Sequence, residues 1–263
     1  MNIRKNHKQV SRVVGVVLVS LVALFVLIGI FYTPYDPNEM NSTLKNAAPT
    51  FSHPFGTDNF GRDILSRVMT GAKTTFFVAI STIIIGGGIG TFIGALTGYY
   101  GGLLDEIIMR VNDGIASFPS ILLALIFVSV AGAGKYNVIL ALGIIFVPSF
   151  ARVIRSEFIQ YKEMDFVKNA KLMGARDFRV MFVHILPNTR PILLSSLTIG
   201  FNNAVLAEAG MSYLQLGVQP PDASLGRMLS EAQSFLFNAP WYALAPGFMI
   251  VITVLGFSLI NES

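Results

Sequence analysis

The chain has 263 residues, of which 53% are hydrophobic and 13% charged, with a formal net charge of +4. Soluble domains carry about a quarter charged residues, so this composition excludes an ordinary soluble core, and the small positive excess fits loops beside a bilayer, not nucleic-acid binding. Cysteine is absent, which excludes disulfides, thiolate chemistry and cysteine-based metal sites.

Arg4, Lys5, Lys8 and Arg12 precede an apolar run over 13–31. Its 19 residues exceed the roughly 7–15 of a signal-peptide core. Tyr32-Thr33-Pro34 follows in place of a small-residue cleavage site, so the run reads as a retained first span. Over 62–72, Ile64, Leu65, Val68 and Met69 share one helical face, with Arg62, Asp63 and Arg67 opposite. This spacing predicts a helix lying at the outer surface.

The run 76–98 is the second span. Gly86, Gly90, Gly94 and Gly98 recur in it at every fourth residue, along one helix face, where backbones can approach closely. Runs 115–134 and 137–154 follow, joined around Gly134-Lys135-Tyr136 as a tight helical hairpin. Runs 192–209 and 241–260 complete about six spans, each near the roughly 20 residues that cross 30 Å of hydrocarbon. The lack of strict alternation excludes a barrel. The fold class is therefore an all-α polytopic membrane protein. With a cytoplasmic N-terminus, segments 1–12, 99–114 and 152–191 hold 13 of the 19 Lys and Arg residues. That bias predicts both termini inside.

The search for covalent chemistry returns little. Gly71-Ala72-Lys73-Thr74 lacks the glycine that a phosphate loop needs before its lysine. His7, His53 and His184 stand in separate segments without metal-ligand spacing. No nucleophile elbow occurs. No metal, cofactor or enzymatic activity is expected. Ionisable residues avoid the centres of the runs, which argues against an ion-coupled carrier or channel, the alternative reading. Asp113 and Glu208 fall near run ends, where Glu208 faces either a water-filled cavity or solvent.

Segment 152–191 is basic and too long for a simple connector. Phe158, Tyr161, Phe166, Ala170 and Met173 keep helical spacing, predicting a helix over 157–173 that Gly174 stops. Phe178, Met181, Phe182 and Ile185 form a second amphipathic piece, which Pro187 closes. Such a helical turn beside a membrane either lies on lipid or docks into a groove on a partner.

Lys168-Asn169-Ala170-Lys171-Leu172-Met173-Gly174-Ala175, followed by His184-Ile185-Leu186-Pro187-Asn188, resembles the "EAA" loop of permease subunits in binding-protein-dependent ABC importers. Lys168 stands where the motif has Glu, and Asn169 where it has its first Ala. His53-Pro54-Phe55-Gly56-Thr57-Asp58, Tyr100-Gly101-Gly102, Ser117-Phe118-Pro119 and Leu216-Gly217-Val218-Gln219-Pro220-Pro221 resemble dipeptide, oligopeptide and nickel permeases of the C type.

The resemblance implies a type I importer permease in a bacterial or archaeal cytoplasmic membrane. It would form a heterodimer with a second permease, and two ATPase subunits and an external solute-binding protein would complete the assembly. Cargo would be peptides or nickel and metal-chelate solutes. Asp165, Phe166, Lys168, Asn169, Ala170, Lys171, Met173, Gly174, Ala175, His184, Leu186 and Pro187 would couple the bundle to the ATPases. Gly61, Arg62, Asp63, Gln219, Pro220 and Pro221 are docking candidates for the binding protein. The chain divides into a first span with its external segment, 1–75, and a permease core, 76–263, that carries the coupling loop.

Overall fold

A computed structural model describes residues 2–261, with side chains from residue 9 onward. The side chains of Arg4, Lys5, His7 and Lys8 lie outside the described residues. The helices in chain order are α1 (Asn2–Phe31), α2 (Ile64–Tyr100), α3 (Gly102–Ala116), α4 (Ser120–Ala131), α5 (Lys135–Tyr161), α6 (Asp165–Leu172), α7 (Asp177–Arg179), α8 (Arg190–Tyr213), α9 (Leu225–Ala232) and α10 (Pro240–Asn261). Among the described residues five helical stretches are long and apolar enough to cross a membrane: Gln9–Phe31, Ile64–Tyr100, Lys135–Tyr161, Asp177–Tyr213 and Pro240–Asn261. A sixth is possible only as a bent pair.

That bent pair replaces the straight span expected over 115–134. α3 and α4 meet at 86° across Ser117-Phe118-Pro119. Proline lacks the N–H a helix interior needs and pushes the residue before it out of helical geometry. With 12 residues, α4 reaches about 18 Å and cannot cross the hydrocarbon alone. The link from α4 to α5 is short, with Gly132 and Gly134 both at positive φ.

α2 also differs from expectation. The helix expected at the surface over 62–72 is instead the first part of one continuous helix of 37 residues. At 1.5 Å per residue it is about 55 Å long, so it extends well beyond the hydrocarbon. Its apolar side chains Ile64, Val68 and Met69 are buried, and so are Arg62 and Asp63 just before it and Arg67 within it.

The chain forms two compact units. One comprises 1–80, 127–139 and 201–263. Within it α1 runs against α10, where Gly15 lies against the backbone of Gly256 and Ile260, and Gly256 against Leu18 and Val19. Val22, Val26, Ile64, Val68, Leu225, Met228, Tyr242 and Ile250 share one buried cluster. The segment between α1 and α2 has little regular structure but is tied down by its own backbone. Asn41 N–H donates to Phe60 O, Asn46 N–H to Asp58 O, and Thr57 N–H to Ala47 O.

The other unit comprises 81–126 and 140–200. Its centre is the crossing of α2 and α5. A Cβ on Gly86 would stand 2.8 Å from Gly143 O, one on Gly90 2.6 Å from Phe150 Cβ, and one on Gly98 2.6 Å from Arg155 O. A Cβ on Gly94 would collide with Ala151 O. All four positions therefore permit a backbone contact that any larger residue would prevent. Pro148 sits inside α5, which neighbouring helices in a membrane tolerate.

Candidate functional site

The stretch between α5 and α8 folds back on itself. The continuous helix expected over 157–173 is broken: α5 ends at Tyr161, the chain turns through Lys162-Glu163-Met164, and α6 begins at Asp165. The gain from the turn is packing. Nine residues of straight helix would carry Val167 about 13 Å beyond Phe158. Folded back, both are fully buried in one cluster with Tyr99, Val180, Met181 and Ile185. Burying a side chain the size of Val167 contributes about 1.5–3 kcal/mol, and Val167 is the buried residue of α6.

The C-terminus of α6 is closed by backbone geometry. Gly174 N–H donates to Lys171 O and Ala175 N–H to Ala170 O, with Gly174 at φ +84. This is a Schellman motif, which needs a left-handed residue where glycine stands. The Lys171 ammonium lies 4.7 Å from the Tyr99 ring centroid. The Tyr99 hydroxyl in turn donates to Asp177 Oδ1 at 2.5 Å. The helix is thus held from α2 and from the start of the following helical run.

The outward side of this turn carries large apolar side chains that nothing covers. Leu172 and Met173 are 85% and 88% exposed, and Phe166 and Phe178 are exposed as well. Asp165, Lys168, Asn169 and Gly174 are also exposed, while Ala170, Ala175, His184, Leu186 and Pro187 are half-buried. A well-anchored helix that leaves large side chains uncovered presents an interaction surface.

Pro187 does not end the second piece as expected. The helical run from Asp177 continues as a π-helical stretch, Val180–Ile185, and a 3-10 turn, Leu186–Thr189, into α8. Pro187 falls in the first turn of that 3-10 segment, where a missing N–H costs little. Asn188 Nδ2 donates to His184 O at 2.6 Å, and Tyr161 Oη to Asn188 O at 3.1 Å. Arg155 forms a bidentate pair with Asp105 at 2.5 Å for each bond, and Arg152 reaches Asp113 at 2.9 Å. These pairs fix α3 to α5.

In the other unit, the docking candidates separate into two groups. Pro220 and Pro221 are exposed and Gln219 is half-buried. Gly61, Arg62 and Asp63 are buried, inside an ionic network missed in the sequence. Arg62 Nε donates to Asp58 Oδ2 at 2.6 Å, and Arg62 Nη2 to Glu231 Oε2 at 3.1 Å. Arg67, 1% exposed, donates to the same Glu231 oxygen at 3.2 Å. Tyr242 Oη donates to Glu231 Oε2 at 2.8 Å and Arg227 Nε to Oε1 at 3.1 Å. Burial pushes the Glu231 carboxyl up, but Arg67 and Arg62 and the bonds from Tyr242 and Arg227 outweigh it and hold it below the ordinary range. Alongside, Asp63 receives Ser66 N–H and Oγ–H and contacts His53 Nδ1 at 2.9 Å.

Glu208 faces neither water nor a cavity mouth. It is fully buried, with Ser212 Oγ donating to Oε1 at 2.6 Å and the hydroxyls of Thr75 and Ser224 around it. Ser212 Oγ accepts from Val218 N–H, and Thr75 Oγ1 from Leu225 N–H. The sequence signal was available: an acidic residue on an apolar helix followed by Ser at i+4. Among the described residues no group of three or more His, Asp or Glu side chains is arranged to hold a metal ion.

The family model for the "Binding-protein-dependent transport system inner membrane component" matches residues 90–262. The chain is 36% identical to the dipeptide transport system permease protein DppC of Alkalihalophilus pseudofirmus, over 98% of this chain and 86% of that protein. It is 35% identical to the protein of the same name from Haemophilus influenzae, over 95% and 86%. It is 37% identical to the glutathione transport system permease protein GsiD of Escherichia coli O157:H7, over 98% and 85%. Among solved structures, the inward-facing MetNI methionine ABC transporter matches with a TM-score of 0.57 at 17% identity, covering 76% of this chain and 93% of that one.

Proposed function

Because this chain belongs to the family of binding-protein-dependent transport system inner membrane components, and is thus a multi-pass permease subunit of an ABC importer, we propose that it carries short peptides and is driven through the α6 turn. The names of its relatives, dipeptide and glutathione permeases, favour peptide cargo. A second permease would complete the pathway, with two ATPase subunits on the cytoplasmic side and a solute-binding protein outside. The Lys and Arg bias favours cytoplasmic termini. The carrier or channel alternative draws no support from this membership.

The observation that carries the reading is the pair Leu172 and Met173, uncovered at the end of a helix whose other face is locked by Val167 and Lys171. A docked ATPase would cover them. Rearrangement of two such motors on ATP binding then biases a bundle with two states, one open inward and one open outward. A rigid α6 turn transmits that bias, whereas a frayed one would absorb it.

The chain has no cysteine, so Leu172→Cys and Met173→Cys place crosslinking sites that are unique within this subunit of the co-expressed complex. Both are expected to capture the ATPase subunit. Phe237→Cys, fully exposed between α9 and α10, is expected not to. Capture of the ATPase by Phe237→Cys, or by neither α6 position, contradicts the proposal.

A further inference from the structure

We infer that the groove between α1, α2 and the start of α5 holds an anionic phospholipid. It has a volume of about 660 Å³, in the range that accommodates small organic molecules. Leu27 and Ile30 of α1 and Phe77 and Ile80 of α2 line it, and all four are exposed. Lys73, Lys135 and Tyr136 line one end.

The position of those lysines decides the occupant. The apolar run of α2 starts three residues after Lys73, that of α5 starts directly after Tyr136, and α1 ends at Phe31. The cationic end of the groove therefore stands at the polar boundary of the hydrocarbon, where phosphate groups and interfacial tyrosines lie. Lys135 is paired with Asp222 at 2.6 Å. Lys73 has no ion-pair partner among the described residues and is exposed, so one positive charge is uncompensated. One acyl chain along the apolar wall and one phosphate at Lys73 satisfy both halves of the groove. An apolar helix of a second subunit would cover the wall but leave Lys73 unpaired.

The test uses the full-length chain purified in mild detergent, with retained lipid counted by native mass spectrometry. Phosphatidylglycerol is expected to be retained in preference to phosphatidylcholine. Lys73→Gln is expected to weaken that retention about five-fold, Lys73→Glu to weaken it further, and Arg110→Gln, on an exposed side chain of α3, to leave it unchanged. Glycerol phosphate alone is expected not to compete, because it lacks the chain that fills the wall. Phosphatidylglycerol is also expected to slow thiol labelling of Ile80→Cys. Equal retention of the two lipids, indifference to both Lys73 variants, full competition by glycerol phosphate, or chemical crosslinking of Ile80→Cys to a second permease subunit in membranes that hold the assembled transporter would each overturn the inference.

Discussion

At Gly174 a single backbone angle separates a helix that stops from one that frays. A Cβ built there meets nothing within 4 Å, so a substitution there strains the φ of +84 without creating a clash. Gly174→Asp is expected to cost about 1 kcal/mol of stability and to leave the subunit folded. It would also set a negative charge beside Leu172 and Met173, and uptake in vesicles should fall about ten-fold or more. Normal uptake by a well-expressed Gly174→Asp protein would show that the turn does not couple. Glu231 is a second single-residue case. Its carboxyl is held below the ordinary range, near 4.5 for a glutamate. Its stabilisation is thus fully present above that range and lost as pH falls through the lowered value. Glu231→Gln should cost about 3 kcal/mol at neutral pH, because it leaves Arg62 and Arg67 short of a buried partner. The gap in Tm between wild type and variant should narrow as pH falls below 4.5; a gap independent of pH would show that the carboxylate charge contributes nothing.

At the scale of elements, the crossing of α2 and α5 follows from four glycines in register. Gly94→Ile forces a side chain into the Ala151 carbonyl and should lower stability by at least about 1–3 kcal/mol. Gly88, on the same helix, faces open space, so Gly88→Ile should leave the melting temperature within a degree or two of wild type. Equal losses would mean that helix propensity, not the crossing, sets the effect. The glycine face and the long apolar runs were legible because membrane helices are written by length and small-residue spacing. The Schellman turn was legible because glycine after an amphipathic run has few other uses. The break at Lys162-Glu163-Met164 was not, since it contains neither glycine nor proline; only the burial of Val167 against Phe158 explains it. The 86° bend between α3 and α4 was half legible, in Ser117-Phe118-Pro119. The apolar run over 115–134 passed for a straight span because hydropathy is blind to direction. Arg62, Asp63 and Arg67 passed for a solvated face for a similar reason. The carboxylate that Arg62 and Arg67 share, Glu231, lies more than 160 residues away in sequence, and periodicity sees only neighbours.

For the whole molecule, family membership makes this a permease without fixing how force reaches it. One short helix is proposed for that role. α6 is buried on one side by Val167, held by Lys171 over Tyr99 and capped by Gly174, and its end leaves Leu172 and Met173 uncovered. Uncovered apolar side chains of this size on an anchored helix mark an interaction surface. The departures from the family motif, Lys168 and Asn169, are both exposed, so under the proposed docking they would alter the surface offered to the motor and leave the anchoring of α6 intact. The direct measurement is peptide uptake and ATP turnover in proteoliposomes holding the whole transporter, with Leu172→Asp and Met173→Asp combined in this subunit. Uptake should be lost, and ATP turnover should no longer respond to the loaded binding protein, while the subunit keeps its wild-type melting temperature. Uptake and stimulated turnover at wild-type rates would contradict the account.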